Sequence, residues 1–287
     1  MSGAHSARLL AVAERLADEY RKDAGVVAVL VAGSAGSGEA DEMSDLDLVV
    51  LWRHAPSDDA RRAPIEAVDG EIEDIAPFEE EEWAESFAVG DVHVGTSMFL
   101  ADTVDQYLDA LLLRADPTDN AQILVAAVQH ALVLHGEALV ADWRERAATY
   151  PEALARAVAA ESLQWQGGWG SAVAFAARGD LISLGSVVDP AIRALLRLLL
   201  ALNRRYLAHP RFKRWRTLVR GLGISPSHIE QRLDVVLGAD PQVAVLELQF
   251  LLEEAVSLAE RELPGIDTRE AHEWISFDRH RLPPAAG

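Results

Sequence analysis

The chain has 287 residues, half of them apolar, and a formal net charge of −20. That length allows one large domain or two ordinary ones with a sizeable core. The absence of cysteine rules out a disulfide framework and a thiolate metal site, and suits a reducing cytoplasm.

The charge is unevenly spread. Residues 1–100 carry 22 acidic against 7 basic side chains, and the remainder 24 against 19. Lys and Arg contacts to phosphate dominate nucleic-acid affinity, so this acidic front half argues against a long DNA or RNA substrate. Metal ions, cationic small molecules, or a nucleotide carried with its own cation fit better. No stretch approaches the ~18 unbroken apolar residues of a membrane span; the greasiest, around Leu195–Leu202, is interrupted by Arg197. The first residues, MSGAHSARLL, lack the apolar core of a signal peptide.

In chain order, Leu9, Leu10, Val12, Ala13 and Leu16 have helical spacing, predicting a helix over 5–23. Val26–Ala32 is a β-branched apolar run that reads as a buried strand ending at Gly33. Residues 33–44 are small and polar, and residues 46–50 form a second predicted strand. Residues 54–62 read as a solvated loop, 71–78 and 89–99 as weaker strands, and Glu79–Glu82 as a solvated helix start. From about residue 102 the pattern is helical, broken near Pro117, Pro151, Gly179, Pro210, Gly223 and Pro241. Asp116-Pro117 and Ser225-Pro226 read as capped helix starts. The expected architecture is α+β: a small mixed-sheet domain over 1–110, then an all-helical bundle over 111–287, the boundary falling near 101–116.

The most informative segment is Val29–Val50, VLVAGSAGSGEADEMSDLDLVV. Alternate residues of a strand share a face, so Asp45 and Asp47 project together while Leu46 and Leu48 face a core. Two like charges so close repel unless a cation sits between them. Carboxylate oxygens suit magnesium, which completes its shell with water and substrate phosphates. Gly33 lets a phosphate approach the backbone, and the turn at Gly33-Ser34 can aim amides and the Ser34 hydroxyl at it; a helix starting there would add positive potential. These residues predict a site for a magnesium-bound nucleoside triphosphate.

The segment resembles the signature of the DNA-polymerase-β-type nucleotidyltransferase superfamily: a hydrophobic strand, Gly-Ser, a spacer, then Asp-hydrophobic-Asp. Gly36, Gly38-Glu39 and Ser44 resemble the fill of its minimal and antibiotic-modifying members. The resemblance implies a polymerase-β-like fold and transfer of a nucleoside monophosphate, AMP from ATP foremost, to a hydroxyl of a small molecule. Asp45 and Asp47 would be the metal ligands, with Gly33 and Ser34 binding phosphate. It also implies a third carboxylate on a later strand, bridging metals or acting as general base. Asp74 is the first choice and Glu73 the second; the alternative strand at Val92–Gly95 offers His93 or Gly95 where an acid is expected. Antibiotic-modifying relatives act on aminoglycosides or lincosamides, and an acidic cleft suits a polycationic sugar. Other small-molecule or protein hydroxyls stay open, as does a catalytically silent nucleotide sensor.

In the helical half, Asn203, Arg204 or Arg205, Tyr206, Lys213 and Trp215 resemble an Asn-Arg-x-Tyr…Lys-Trp element of an uncharacterised bacterial group. The chain has 24 arginines and only two lysines, Lys22 and Lys213, so Lys213 stands out as a candidate triphosphate contact. Glu161 and Asp180 are candidate acceptor-activating bases, and Trp165 and Trp169 could line a pocket or sit in the core. His130 and His135 fall on a predicted helix without ligand spacing. Arg204 and His209 match the Arg-x4-His motif of HEPN-type ribonucleases, partners of minimal nucleotidyltransferases in toxin–antitoxin systems; this is the rival reading.

Overall fold

A computed structural model describes residues 2–164 and 169–276. The chain divides into two compact units, Met1–Leu113 with Asn120–Thr149, and Arg114–Asp119 with Tyr150–Gly287.

The first unit contains helices α1 (Ser2–Tyr20), α2 (Gly33–Gly36), α3 (Asp58–Ala67), α4 (Ala101–Leu113), α5 (Asp119–His130, its first residue excepted) and α6 (Glu137–Ala147). Its strands are β1 (Val26–Val31), β2 (Leu46–Trp52), β3 (Glu71–Ile75), β4 (Trp83–Val89), β5 (Val92–Leu100) and β6 (Leu132–His135). They form one mixed sheet in the order β3-β4-β5-β2-β1-β6. β2 and β5 run parallel, and every other neighbouring pair is antiparallel.

One face of the sheet is sealed by α1. Its stripe Leu9, Val12, Ala13, Leu16, Ala17 and Tyr20 packs with Leu46, Leu48 and Val50 of β2 and Phe87, Val94 and Met98 beyond it. On the helical side, Trp143 of α6 donates to Asp105 of α4 at 3.1 Å, and Arg144 donates to the Val128 carbonyl of α5 at 2.9 Å. Residues 102–149 look like a bundle because their helices are apolar, yet β6 lies between two of them and pairs with β1. For that reason the first unit runs well past residue 110, the boundary expected from sequence.

Three local expectations change. Residues 58–67 are helix α3 rather than loop: the Ser57 hydroxyl caps it by accepting from the Ala60 amide, and Arg61, Pro64 and Ile65 are buried. The helix hides in a charged sequence because Arg61 turns inward, its Nε 2.6 Å from Glu85, on β4. Glu79–Glu82 is the tight turn between β3 and β4, with Glu80 and Glu81 at positive φ, rather than a helix start. His135 belongs to β6 and His130 ends α5, so the two do not share a helix.

The second unit is helical: α7 (Glu152–Ser162), α8 (Trp169–Arg178), α9 (Leu181–Leu202), α10 (Trp215–Arg220), α11 (Ile229–Gly238), α12 (Pro241–Glu262) and α13 (Arg269–Ser276). The long helices α9 and α12 pack together, with α7 and α8 against α9 and α11 and α13 against α12. The buried row Leu195, Leu198, Leu199 and Leu202 of α9 accounts for the greasy stretch of sequence: it is a bundle core. Helices begin at Asp119 and Ile229, later than Pro117 and Pro226 suggest, and Asp116 instead caps the Thr118 amide at 3.0 Å. Among the described residues no helix is long and apolar enough to cross a membrane.

Candidate active site

The edge of β2 sets the geometry. Leu46 and Leu48 are fully buried, which turns Asp45 and Asp47 outward, and both are exposed. The turn after β1 is locked to this strand: the Ala32 amide donates to the Asp47 carbonyl at 2.9 Å. Gly33 has φ +57, and a Cβ there would stand 2.1 Å from Asp47 Oδ2. Only glycine therefore lets the turn and the carboxylate share this space. Gly36 is equally constrained, since its Cβ would meet the Val31 carbonyl at 2.0 Å. The four-residue α2 is too short to carry an aligned dipole, so phosphate affinity at Gly33 and Ser34 would come from the turn amides and the Ser34 hydroxyl.

The approach to Asp45 is also fixed. The Ser44 hydroxyl donates to Asp41 at 3.0 Å and accepts from the Asp41 amide at 2.9 Å. His5 of α1 lies with its Nε2 3.0 Å from the Ser44 carbonyl, tying the helix to the residue before Asp45.

The strand beside β2 is β5, in parallel register, with Asp47 opposite Gly95. A Cβ on Gly95 would meet only Asp47 Oδ1, at 3.9 Å. The expected third-acid position next to the pair is thus glycine. Ser86 of β4 pairs with Gly95, and Asp74 of β3 pairs with Ser86. Asp74 therefore lies three strands from Asp47, about 14 Å at the usual strand spacing, beyond direct reach of a cation held by Asp47.

Glu73 sits at the irregularity between Ile72 and Asp74, where β3 carries an extra residue. Its carboxylate lies over β4: Ser86 Oγ donates to Glu73 Oε2 at 2.8 Å, and His93 Nε2 lies 2.9 Å from the same oxygen. The Ser86 hydroxyl and then His93 hold the Glu73 carboxyl below its ordinary range. Ser86 was not singled out from sequence, because β4 was not recognised. Its alternation is masked by the inward-facing Glu85.

Among the described residues no group of three or more His, Cys, Asp or Glu is gathered as a metal cluster. The pair at Asp45 and Asp47 fits a cation that draws its remaining ligands from substrate phosphate and water.

Residues 13–96, which hold Gly33, Asp45, Asp47, Glu73, Ser86 and His93, match the nucleotidyltransferase domain family. Over that segment the chain is similar to this family. Residues 118–216 match a domain of unknown function (DUF4037), which begins in α5's approach and ends beyond Lys213. Among solved structures, a nucleotidyltransferase-like protein from Exiguobacterium sibiricum 255-15 is 14% identical, over 85% of this chain and 74% of that one, with a TM-score of 0.36. No curated protein matches.

The remaining candidates lie outside that segment, in the second unit. Glu161 is engaged with Arg197 at 2.9 Å, which also meets Asp119 at 3.0 Å. Asp180 caps α9 by accepting from the Ser183 amide. Trp169 is core, its ring 5.1 Å from that of Trp274, whereas Trp165 lies outside the described residues.

Asn203 is a structural clamp at the end of α9. It donates to the Leu199 and Ile224 carbonyls, both at 2.7 Å, and accepts from the Gly223 and Ile224 amides at 2.8 and 2.9 Å. Tyr206 packs on Tyr150, with ring centres 4.8 Å apart, and burial pushes its hydroxyl up to about 12. Lys213 is exposed in a basic run that, after burial, helps lower the His209 pKa.

Arg204 and His209, the pair of the HEPN-type reading, both lie beyond the end of α9. Arg204 has left-handed backbone and donates to the Ala201 carbonyl at 3.0 Å, and His209 Nδ1 accepts from the Arg211 amide. Residues 204–212 are not helical, so Arg204 and His209 are held on irregular backbone.

Proposed function

We propose that this protein transfers a nucleoside monophosphate, AMP from ATP foremost, to a hydroxyl of a small molecule and releases pyrophosphate. The observation that carries the reading is the interlock of Gly33 with Asp47, which brings the turn after β1 directly against the Asp47 carboxylate. The similarity to the nucleotidyltransferase domain family supports the reaction class.

The residues present fit a divalent cation of magnesium's hardness: Asp45 and Asp47 offer carboxylate oxygens, and Gly95 adds no side chain beside Asp47. When bound, such a cation would lower the pKa of the attacking hydroxyl and offset charge on the leaving pyrophosphate. Gly33 amide and Ser34 hydroxyl would hold the β- and γ-phosphates, aligning the α-phosphate for in-line attack. The surplus of carboxylates in residues 1–100 favours a cationic acceptor, an aminoglycoside-like sugar being one chemistry that fits. Lys213 is retained as a triphosphate contact on the argument from lysine usage. A cysteine-free chain using ATP belongs with a cytoplasmic setting in this proposal.

One observation favours a second reading, a nucleotide-binding protein without transfer activity: Gly95 stands where a third carboxylate would lie beside Asp47. ATP labelled on the α-phosphate separates the two. Label moving to an aminoglycoside or another polyhydroxyl acceptor, with pyrophosphate released, supports transfer. Magnesium-dependent ATP binding with no label transferred and no pyrophosphate supports the second reading. In the same assay Lys213→Ala should raise the apparent constant for ATP, and an unchanged constant removes Lys213 from the account.

A further inference from the structure

The open face of the sheet beyond β2 carries a polar group that the metal pair and phosphate turn leave unused. Val92, Val94 and Thr96 of β5 are buried, so His93, Gly95 and Ser97 face outward. Gly95 contributes no side chain beside Asp47, leaving His93 as the titratable group that β5 presents on this face. Leu46 pairs with Val94, so extending that register sets His93 against Asp45, one strand over, about 5 Å between backbones.

The ring of His93 is held in a defined state. Its Nε2 lies 2.9 Å from Glu73 Oε2 and 3.2 Å from Ser86 Oγ, while Ser86 itself donates to Glu73 at 2.8 Å. An ionised carboxylate only accepts, and the Ser86 hydroxyl donates its one proton to Glu73. Nε2 must therefore carry the ring proton, donating to Glu73 and to the Ser86 oxygen. In the neutral ring the lone pair is then on Nδ1. This is the logic by which a carboxylate fixes an imidazole tautomer and steadies the cation formed when the ring takes a proton. Regular alternation from Glu71 already puts Glu73 on this face, toward Ser86; the bulge passes the backbone pairing with Ser86 to Asp74.

We propose that His93, aligned by Glu73 and Ser86, takes the proton from the acceptor hydroxyl during nucleotidyl transfer. The proposal rests on the transfer reading above. The acceptor oxygen attacks the α-phosphorus, and the bond from that phosphorus to the β-phosphate oxygen breaks. The electron pair leaves with pyrophosphate, and the hydroxyl proton goes to His93 Nδ1 and then to water. His93 is the catalytic residue, and Glu73 and Ser86 are positioning residues.

The test uses the full chain with ATP and magnesium, water as the probe acceptor, and His93→Gln, His93→Ala and Glu73→Gln. Gln keeps a donor toward Glu73 but has no base. Pyrophosphate release should fall by about 10²–10⁴-fold in both His93 variants, with the ATP-dependent rise in melting temperature unchanged, and added imidazole should restore part of the rate to His93→Ala. Nitrogen NMR of the His93 ring should show the proton on Nε2 in wild type and a mixture of tautomers in Glu73→Gln, which a merely structural Glu73 would not produce. Release at the wild-type rate in His93→Gln with ATP binding intact, or a ring proton on Nδ1 in wild type, overturns the proposal alone, whereas a wild type that binds ATP yet releases no pyrophosphate overturns it together with the transfer reading. A wild type with no ATP-dependent shift overturns the transfer reading beneath it.

Discussion

Gly33 and Asp47 occupy one another's space: a Cβ on Gly33 would lie 2.1 Å from the Asp47 carboxylate oxygen. Gly33 also has φ +57, a conformation costing an ordinary residue roughly 1–2 kcal/mol. The colliding atom is the end of a side chain at an exposed edge, so Asp47 can rotate away and the fold survives. Gly33→Ala should lower Tm by only a few degrees while abolishing magnesium-dependent stabilisation by ATP. Full retention of that stabilisation would mean that the turn and the carboxylate do not work as a unit.

Gly95 faces Asp47 across the parallel ladder, with room for a side chain. Gly95→Asp would place a third carboxylate beside the pair. Three close carboxylates repel without a cation, so the variant should be less stable in chelator, and a magnesium titration should reach its midpoint at lower concentration than in wild type. Calorimetric or fluorescence titration of the two proteins checks this; an unchanged midpoint argues against a cation at Asp45 and Asp47.

Asn203 satisfies two amides and two carbonyls where α9 ends. Asn203→Ala removes four side-chain hydrogen bonds at once, leaving only the Leu199 carbonyl with the residue's own backbone amide, and a loss of about 2–4 kcal/mol is expected on denaturant unfolding. ATP binding to the folded fraction should be unaffected. A stable variant with weakened ATP binding would instead give Asn203 a direct role.

Glu85 is buried on β4 against Arg61. Burial pushes its carboxyl up from the usual 4.5 to about 7, with Arg61 opposing. The folded-state pKa is thus above the unfolded value, so the folded protein holds the proton more tightly. The stability this contributes is fully present below 4.5 and is lost as pH rises through about 7. The difference in Tm between Glu85→Gln and wild type should move in the variant's favour across that window, and a difference independent of pH would show that Glu85 stays ionised in the fold throughout it.

The legible parts of the sequence were those where local pattern and tertiary burden agree. Val26–Val31 and Leu46–Trp52 are buried on both faces in their inner part and read as plain apolar runs, so the strand–turn–strand core of the site was visible at once. The Arg61–Glu85 pair is the counter-example. Burying opposite charges against each other makes α3 look like a loop and interrupts the alternation of β4, and the position of Ser86 disappeared with it. The irregularity at Glu73 is a matter of register that no single-strand pattern encodes, so choosing among Glu73, Asp74 and His93 required the order β3-β4-β5-β2. The helical half behaved similarly: the Asn203 motif was visible, but its role depends on Gly223 and Ile224, twenty residues away.

The most direct test of the central claim is a thermal-shift panel of ATP, GTP, CTP and UTP, each with and without magnesium, on wild type and on the double variant Asp45→Asn/Asp47→Asn. A ligand that binds the native state alone must raise Tm. The account predicts a rise with ATP that requires magnesium and is absent in the double variant, which should itself be folded and no less stable than wild type in chelator. A folded wild type unmoved by every triphosphate, or an equal shift in the double variant, would contradict it.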